Sequence, residues 1–576
     1  MMPEIVRFRL THIVLWTSIF ATCIILPFSN YDPISLPKLA VISVGALSSL
    51  FLLILYRNSF KVSHRPLIIV VSMFIIWMIV VLLFSNAPLT QQIWGMFGRN
   101  TGLVAYLSLV LILLASCISS SENFDFPRRL VTSVIGVSIL ETAYCLIQIQ
   151  KRDPIAWSEM QPFGTLGNVN FLSAFLGLST VLILNVVISN SINSKIRISL
   201  LALLLLQLYV IYYTGSIQGL MMFGIGSFVS LLFRFLASAK AKLILTSLVL
   251  PYLAVGALSL LALFNKGPLA SFIFQPSITF RWDYMHAGVE MTQKSPLLGV
   301  GLDSYGDWYR ELRGEISTLR TGPDRITNSA HNIFLDISST GGLPFFLLYM
   351  IFVVWALLGC YKLLKRARFS FNPWHAAIVA GWISYQVQAL ISINQLGVGI
   401  WAWVLTGTLI SFSASRFGNL EPQDLSEMSK AINMPKNLGK KLKSSKMGKS
   451  LKGELMPAKA TLSAFLGAAI GLAICLPALN ADSRVYRAFQ SGDLAKMVGA
   501  LKGLGVTSWH MEIVLDRAVK NNDPGAAREV ISLLKSANPR SYYAYFIEYV
   551  SATSTPQERE NALAILRKLD PFNPNL

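Results

Sequence analysis

This chain of 576 residues has little charge: Asp, Glu, Lys and Arg together make up 14% of it, against 53% hydrophobic residues. So little polar surface excludes a soluble globular protein, and the bilayer must be the solvent for most of the chain. Cysteine is scarce too. Cys23, Cys117, Cys145, Cys360 and Cys475 sit in or at the ends of apolar runs, which excludes a disulfide framework and a zinc set with ligand spacing outside the membrane. The glycines match neither a P-loop nor a dinucleotide fingerprint, and no Ser-His-Asp or Cys-His arrangement can be read from spacing. Neither metal nor cofactor is expected. Segments of strictly alternating polarity, the mark of barrel strands, are missing as well.

What is present is a series of continuous apolar runs of roughly 16 to 22 residues, each long enough to cross a hydrocarbon core as helix. They begin with Ile13–Phe28, Leu39–Leu55 and Leu67–Phe84 and end with Leu343–Leu358, Ala376–Ile393, Leu396–Phe412 and Leu462–Leu479. The expectation is an all-α polytopic transmembrane bundle of about 12 to 13 spans. No small-x-small cleavage site follows the first run, so it is expected to remain as helix one.

Basic residues orient the bundle. Arg7 and Arg9, Arg57 to Arg65, Arg128 and Arg129, Lys195 and Arg197, Arg234 to Lys242, and Lys362 to Arg368 all fall on one side of the alternating spans. By the positive-inside rule that side is the cytoplasm. The basic stretch 416–460 also lands inside, against anionic lipid head groups. Much of the net charge of +20 is thereby accounted for without nucleic acid.

Parity then places 85–102, 150–170, 265–340 and everything after Ala481 on the outer face. The chain divides into a membrane domain 1–415 with the large outer loop 265–340, a cytoplasmic linker 416–460, a last span 461–480 and an outer module 481–576. That module has helical periodicity in short blocks, broken at Gly503–Gly505, Asn521–Pro524, Asn538-Pro539 and Asp570-Pro571. It reads either as a TPR-like array or as a plain helical bundle. Both readings fit binding or orienting a partner better than chemistry.

Three outer patches could carry chemistry. His331, beside Asn332 and ahead of a helix-entry turn, is either a structural histidine or a general base. Arg281-Trp282-Asp283, followed by the turn from Pro296 through Gly301 to Asp303, offers a guanidinium where membrane proteins tend to avoid one; it either snorkels or clamps a phosphate. Arg99 lies in the glycine-rich turn Gly95–Gly102 and carries a weaker version of the same signal.

Together these residues resemble the bacterial O-antigen ligase superfamily, which also includes some O-antigen polymerases and protein O-oligosaccharyltransferases. The resemblance covers roughly residues 90 to 412. It rests on Ala330-His331-Asn332 followed by Gly342, on Arg281-Trp282 leading to Pro296–Gly301, on Phe163–Asn170 and on Gly98–Leu103. It implies a metal-independent transfer of a glycan from an undecaprenyl-pyrophosphate carrier to an acceptor glycolipid, polysaccharide or protein at the outer leaflet of a bacterial cytoplasmic membrane. His331 would be the base or acceptor-orienting group and Arg281 the pyrophosphate binder, with Asn332, Trp282 and Asp303 in support. Gln218 stands where the family often has arginine, so a second clamp is absent or supplied by Arg99 or Arg320. Phe345 replaces a glycine expected after Gly342. The appended module is not part of a minimal lipopolysaccharide ligase and points toward a polymerase or a protein glycosyltransferase.

Two readings from other classes stand beside this one. A transporter or flippase of lipid-linked glycans would use the many helices and an outer vestibule, and Glu141, inside the fifth run, is the intramembrane charge that would favour it. An assembly scaffold built around the helical tail is the third.

Overall fold

The computed structural model describes residues 4–57, 62–155, 157, 161–190, 192–236, 238, 241–414 and 452–576. Most of the basic linker expected at 416–460 therefore lies outside the described residues. Among those described there is no strand. Helices run as α1 Glu4–Cys23, α2 Ser35–Leu55, α3 Arg65–Phe84, α4 Leu89–Trp94, α5 Leu103–Glu122, α6 Phe126–Ile149, α7 Val169–Val187, α8 Ser194–Tyr213, α9 Gln218–Phe235 and α10 Ala241–Leu263. The long connection 264–332 holds α11 Ala270–Ile273, α12 Pro276–Lys294, α13 Tyr305–Leu312 and α14 Glu315–Thr321; the bundle resumes with α15 Ile333–Ala367, α16 Pro373–Ala389 and α17 Leu396–Ala414. After the linker come α18 Lys452–Gln490, α19 Leu494–Ala500, α20 Ser508–Lys520, α21 Pro524–Ala537, α22 Tyr542–Val550 and α23 Pro556–Leu569.

Eleven of the described helices are long and apolar enough to cross a membrane. The other two expected runs form α1 and the 17-residue α16, which are packed into the same core through Val14, Trp382 and their neighbours. Helix starts follow local chemistry. Asn168, Asn193, Asn332 and Asn372 each accept backbone N–H bonds at an N-terminus, satisfying donors that hydrocarbon could not.

Two departures from the sequence expectation matter. First, α15 begins ten residues before Leu343, and its two regular stretches meet at Gly342, whose φ of 78° makes a kink. The Pro296–Gly301 turn docks there: Leu343 N–H donates to the Pro296 carbonyl at 2.8 Å and Val300 N–H to the Ser339 carbonyl at 2.8 Å. A Cβ on Gly342 would lie 1.9 Å from the Leu297 carbonyl oxygen, so only glycine fits.

Second, the last span does not stop at 480 but continues as helix to Gln490, into the C-terminal module. Gly467 and Gly471 press that helix onto α2, where an added Cβ would meet the Leu47 and Ser43 carbonyl oxygens at 2.3 and 2.5 Å. This is small-residue packing, four positions apart, of the kind that brings membrane helices together. Three of the four breaks expected in the tail fall between α19, α20, α21 and α22 and the fourth follows α23; further breaks lie at 491–493 and 551–555. The helices beyond 490 form a helical module; its likeness to a TPR array is not established.

Candidate functional site

The module and the loops 85–102 and 265–332 gather at one end of the bundle. Phe97 stacks on Trp509 at 3.5 Å, Tyr31 meets Tyr486, Phe489 and Trp509 edge-on, and Arg313, just past α13, reaches Asp570 at the end of α23. The candidate site lies within this assembly, where α12, the loop before α15 and the 388–395 connection converge.

Asp336 builds the turn that presents His331. From the first turn of α15 its carboxylate accepts from Ala330 N–H and from the Ser329 hydroxyl, both at 2.8 Å. Ser329 Oγ in turn accepts from His331 N–H at 2.9 Å. His331 is held at φ 52°, a left-handed conformation that a non-glycine residue adopts only where its surroundings enforce it. Asn332 is spent on capping: its side chain accepts from Phe334 and Leu335 N–H at 3.0 and 3.2 Å.

The imidazole packs on Tyr284, ring centroids 5.3 Å apart. Tyr284 and Arg281 are three positions apart on α12, hence on one face. Among the described residues no protein group is hydrogen-bonded to either ring nitrogen of His331. Burial, with Arg281 and then Arg99 nearby, pushes its pKa down to about 3, so the ring is neutral at physiological pH but a weaker base than a free imidazole.

Arg281 is 8% exposed. Its Nη1 donates to the Ile391 carbonyl at 2.5 Å, while its Nε is buried without a partner. No carboxylate among the described residues pairs with it. The neighbouring Asp283 is instead taken by Arg320. Burial lowers the Arg281 pKa, yet a guanidinium remains charged. Trp282 is 71% exposed.

The other expected contributors are placed as follows. Arg99 lies between Asp303 at 3.7 Å and Asp336 at 3.5 Å and donates to the Asn328 carbonyl. Burial opposes its charge, but Asp303 and Asp336 prevail and raise its pKa. It ties three of the resembling motifs together, with its charge already met. Asp303 also accepts from Met96 N–H, Thr101 N–H and the Thr101 hydroxyl at 2.7 to 3.1 Å, fixing the Gly95–Gly102 turn. Arg320 is half exposed and neutralised by Asp283. Gln218, at the start of α9, accepts from Gln388 Nε2 at 3.1 Å in the position where a second arginine was expected.

Glu141 is tied down rather than left facing a path: Thr165 N–H donates to it at 3.0 Å and the Thr165 hydroxyl bonds it too, which anchors the Phe163–Asn170 motif to α6. Sequence reasoning missed Asp336, Tyr284 and the 388–395 connection. An acid five positions after a histidine was a readable signal; the other two were not marked by any local pattern. No group of three His, Cys, Asp or Glu side chains among the described residues is spaced to hold a metal ion.

Fold and site define a many-helix membrane protein with an unpaired buried arginine and a histidine brought together at one end of its bundle. The family model described as O-Antigen ligase matches residues 201–350, a stretch containing Gln218, Arg281, Asp303, Arg320, His331 and Asn332. That match supports the O-antigen ligase superfamily. No curated protein matches the chain.

Proposed function

We propose that this protein transfers a glycan from an undecaprenyl-pyrophosphate carrier to an acceptor hydroxyl or amine at the outer face of a bacterial cytoplasmic membrane, without a metal. The superfamily match supports membrane glycosyl transfer in O-antigen or related glycan biosynthesis. The observation that carries the finer reading is Arg281: a buried guanidinium with no acid paired to it among the described residues is a site suited to an anion.

In the proposed step the acceptor oxygen or nitrogen attacks the anomeric carbon. The bond from that carbon to the pyrophosphate breaks, and its electron pair stays on the leaving group, whose growing charge Arg281 meets in a water-poor pocket. The acceptor proton passes to a ring nitrogen of His331. Burial is the larger cause of the low basicity of His331 and the charges of Arg281 and Arg99 the lesser one; a bound pyrophosphate offsets the second, so the histidine becomes a better base when the donor is in place. Acceptors in keeping with this reading are the lipid A core, a growing polysaccharide or a protein, and the tail favours the last two.

The test is transfer by purified, membrane-reconstituted protein from a polyprenyl-pyrophosphate-linked glycan in excess chelator. His331→Ala is expected to lower turnover by on the order of 100-fold or more, the usual scale for a lost general base, while wild type is unaffected by the chelator. Near-normal transfer by well-folded His331→Ala rejects the role given to the histidine, and loss of wild-type activity in chelator rejects the metal-free step.

A further inference from the structure

We propose that Asp570, at the C-terminus of α23, is a positioning residue for the Arg281–His331 site, so that the helical module works as a clamp on the enzyme's own outer loop. The one carboxylate serves two arginines at the C-terminal end of α13. Arg313, 0% exposed, places Nη2 2.7 and 2.8 Å from its two oxygens; Arg310 Nη1 lies 2.9 Å from Oδ2. Each arginine also donates to the segment that leads to the histidine. Arg310 donates to the Pro323 carbonyl at 2.8 Å and Arg313 to the Arg325 carbonyl at 3.1 Å.

From there the path to the site is short. Arg325 lies over the Phe280 ring at 4.6 Å, adjacent to Arg281, and six residues further along the chain is His331, in its enforced left-handed turn. A second tie runs parallel: Asn538 donates to Asp307 at 2.8 Å and Arg540 lies over Trp308 at 3.5 Å, so α13 is held against the module along its length. Without Asp570 the fully buried Arg313 has no acid and must move toward water. Its bonds to 323–325 move with it. Arg281 is pinned from the other side, by the Ile391 carbonyl, so the loss falls mainly on the histidine.

The kinetic arm of this inference rests on the glycan-transfer reading; the structural arm does not. The full chain in lipid nanodiscs is to be compared as wild type, Asp570→Asn and Asp570→Glu by hydrogen exchange over 322–331, with the peptide 103–122 as internal reference. Asp570→Asn is expected to lose protection in 322–331 by about 10-fold or more, as for a segment released from a tertiary anchor, with the reference unchanged and Asp570→Glu largely restored. Turnover should fall by on the order of 10-fold with the KM for the lipid-linked donor within about 3-fold, the signature of a misplaced catalytic group. Unchanged exchange in Asp570→Asn overturns the clamp. If wild type transfers no glycan, the functional reading falls while the exchange result still decides the clamp. Should Asp570→Asn fail to accumulate, Arg310→Gln keeps the buried Arg313–Asp570 pair and removes only the other arm; partial loss of protection in 322–331 supports the clamp, and none rejects it.

Discussion

Two buried arginines of the same long loop live in opposite surroundings. Arg313 is gripped by both oxygens of Asp570 and has no exposed surface. Arg281 is nearly as deep, yet among the described residues its bonded partner is one backbone carbonyl. Burying a charge is expensive, and an ion pair offsets that cost only when the partner is present and well aligned. Arg313 is thus explained by the fold alone. Arg281 is not, and an anion from outside the chain is what would complete it.

The sharpest way to break this comparison is to remove both charges in turn. Arg313→Met takes from Asp570 its fully buried partner and leaves it Arg310, and is expected to lower stability by about 3 kcal/mol, seen as a lower thermal midpoint of the purified protein. Arg281→Met removes a charge that nothing in the fold neutralises, so its midpoint should equal or exceed that of wild type while transfer falls by about 100-fold or more. If both variants melt alike, Arg281 has a structural role and the contrast fails.

Titration sharpens the contrast further. His331 ordinarily titrates near 6.5 but is pushed down to about 3 by burial and by Arg281 and Arg99. Between those values the unfolded chain binds a proton that the folded site refuses. The histidine's contribution to stability is therefore complete above pH 6.5 and is lost as pH falls toward 3. For kinetics this means that kcat/KM, which reports the free enzyme, should show no acid limb near 6.5 arising from His331, whereas kcat, which reports the donor-bound state, should show one at higher pH than the free site would give. A limb near 6.5 in kcat/KM that is absent from His331→Gln would contradict the electrostatic picture. The smallest effect belongs to Arg320→Gln. Its half-exposed pair with Asp283 should be worth about 1 kcal/mol or less, and transfer should stay within about 3-fold of wild type.

Much of the bundle was legible because apolar runs and alternating basic loops are themselves the physics of a membrane protein. The kink at Gly342 was not: Asp336, Ser338, Ser339 and Thr340 read as loop, although Asp336 and Thr340 are satisfied inside the first turns of α15. Neither was the unbroken α18, since Asp482, Ser483 and Arg484 interrupt its apolar pattern; Asp482 is in fact buried against His510 at 2.9 Å. At the site, Arg281 and His331 could be named from residue type and place. That Arg99 would be met by two carboxylates, and Arg313 by one 257 positions away, is long-range information that no local spacing carries.

Gly467 and Gly471 have a further meaning. Because they seat the last span directly on the backbone of α2, and because that span runs on as helix into the module, the tail is not an arm on a tether. Its position at the end of the bundle is fixed by a helix wedged between the others. A chain cut before α18 would lose a wall of the bundle together with its roof.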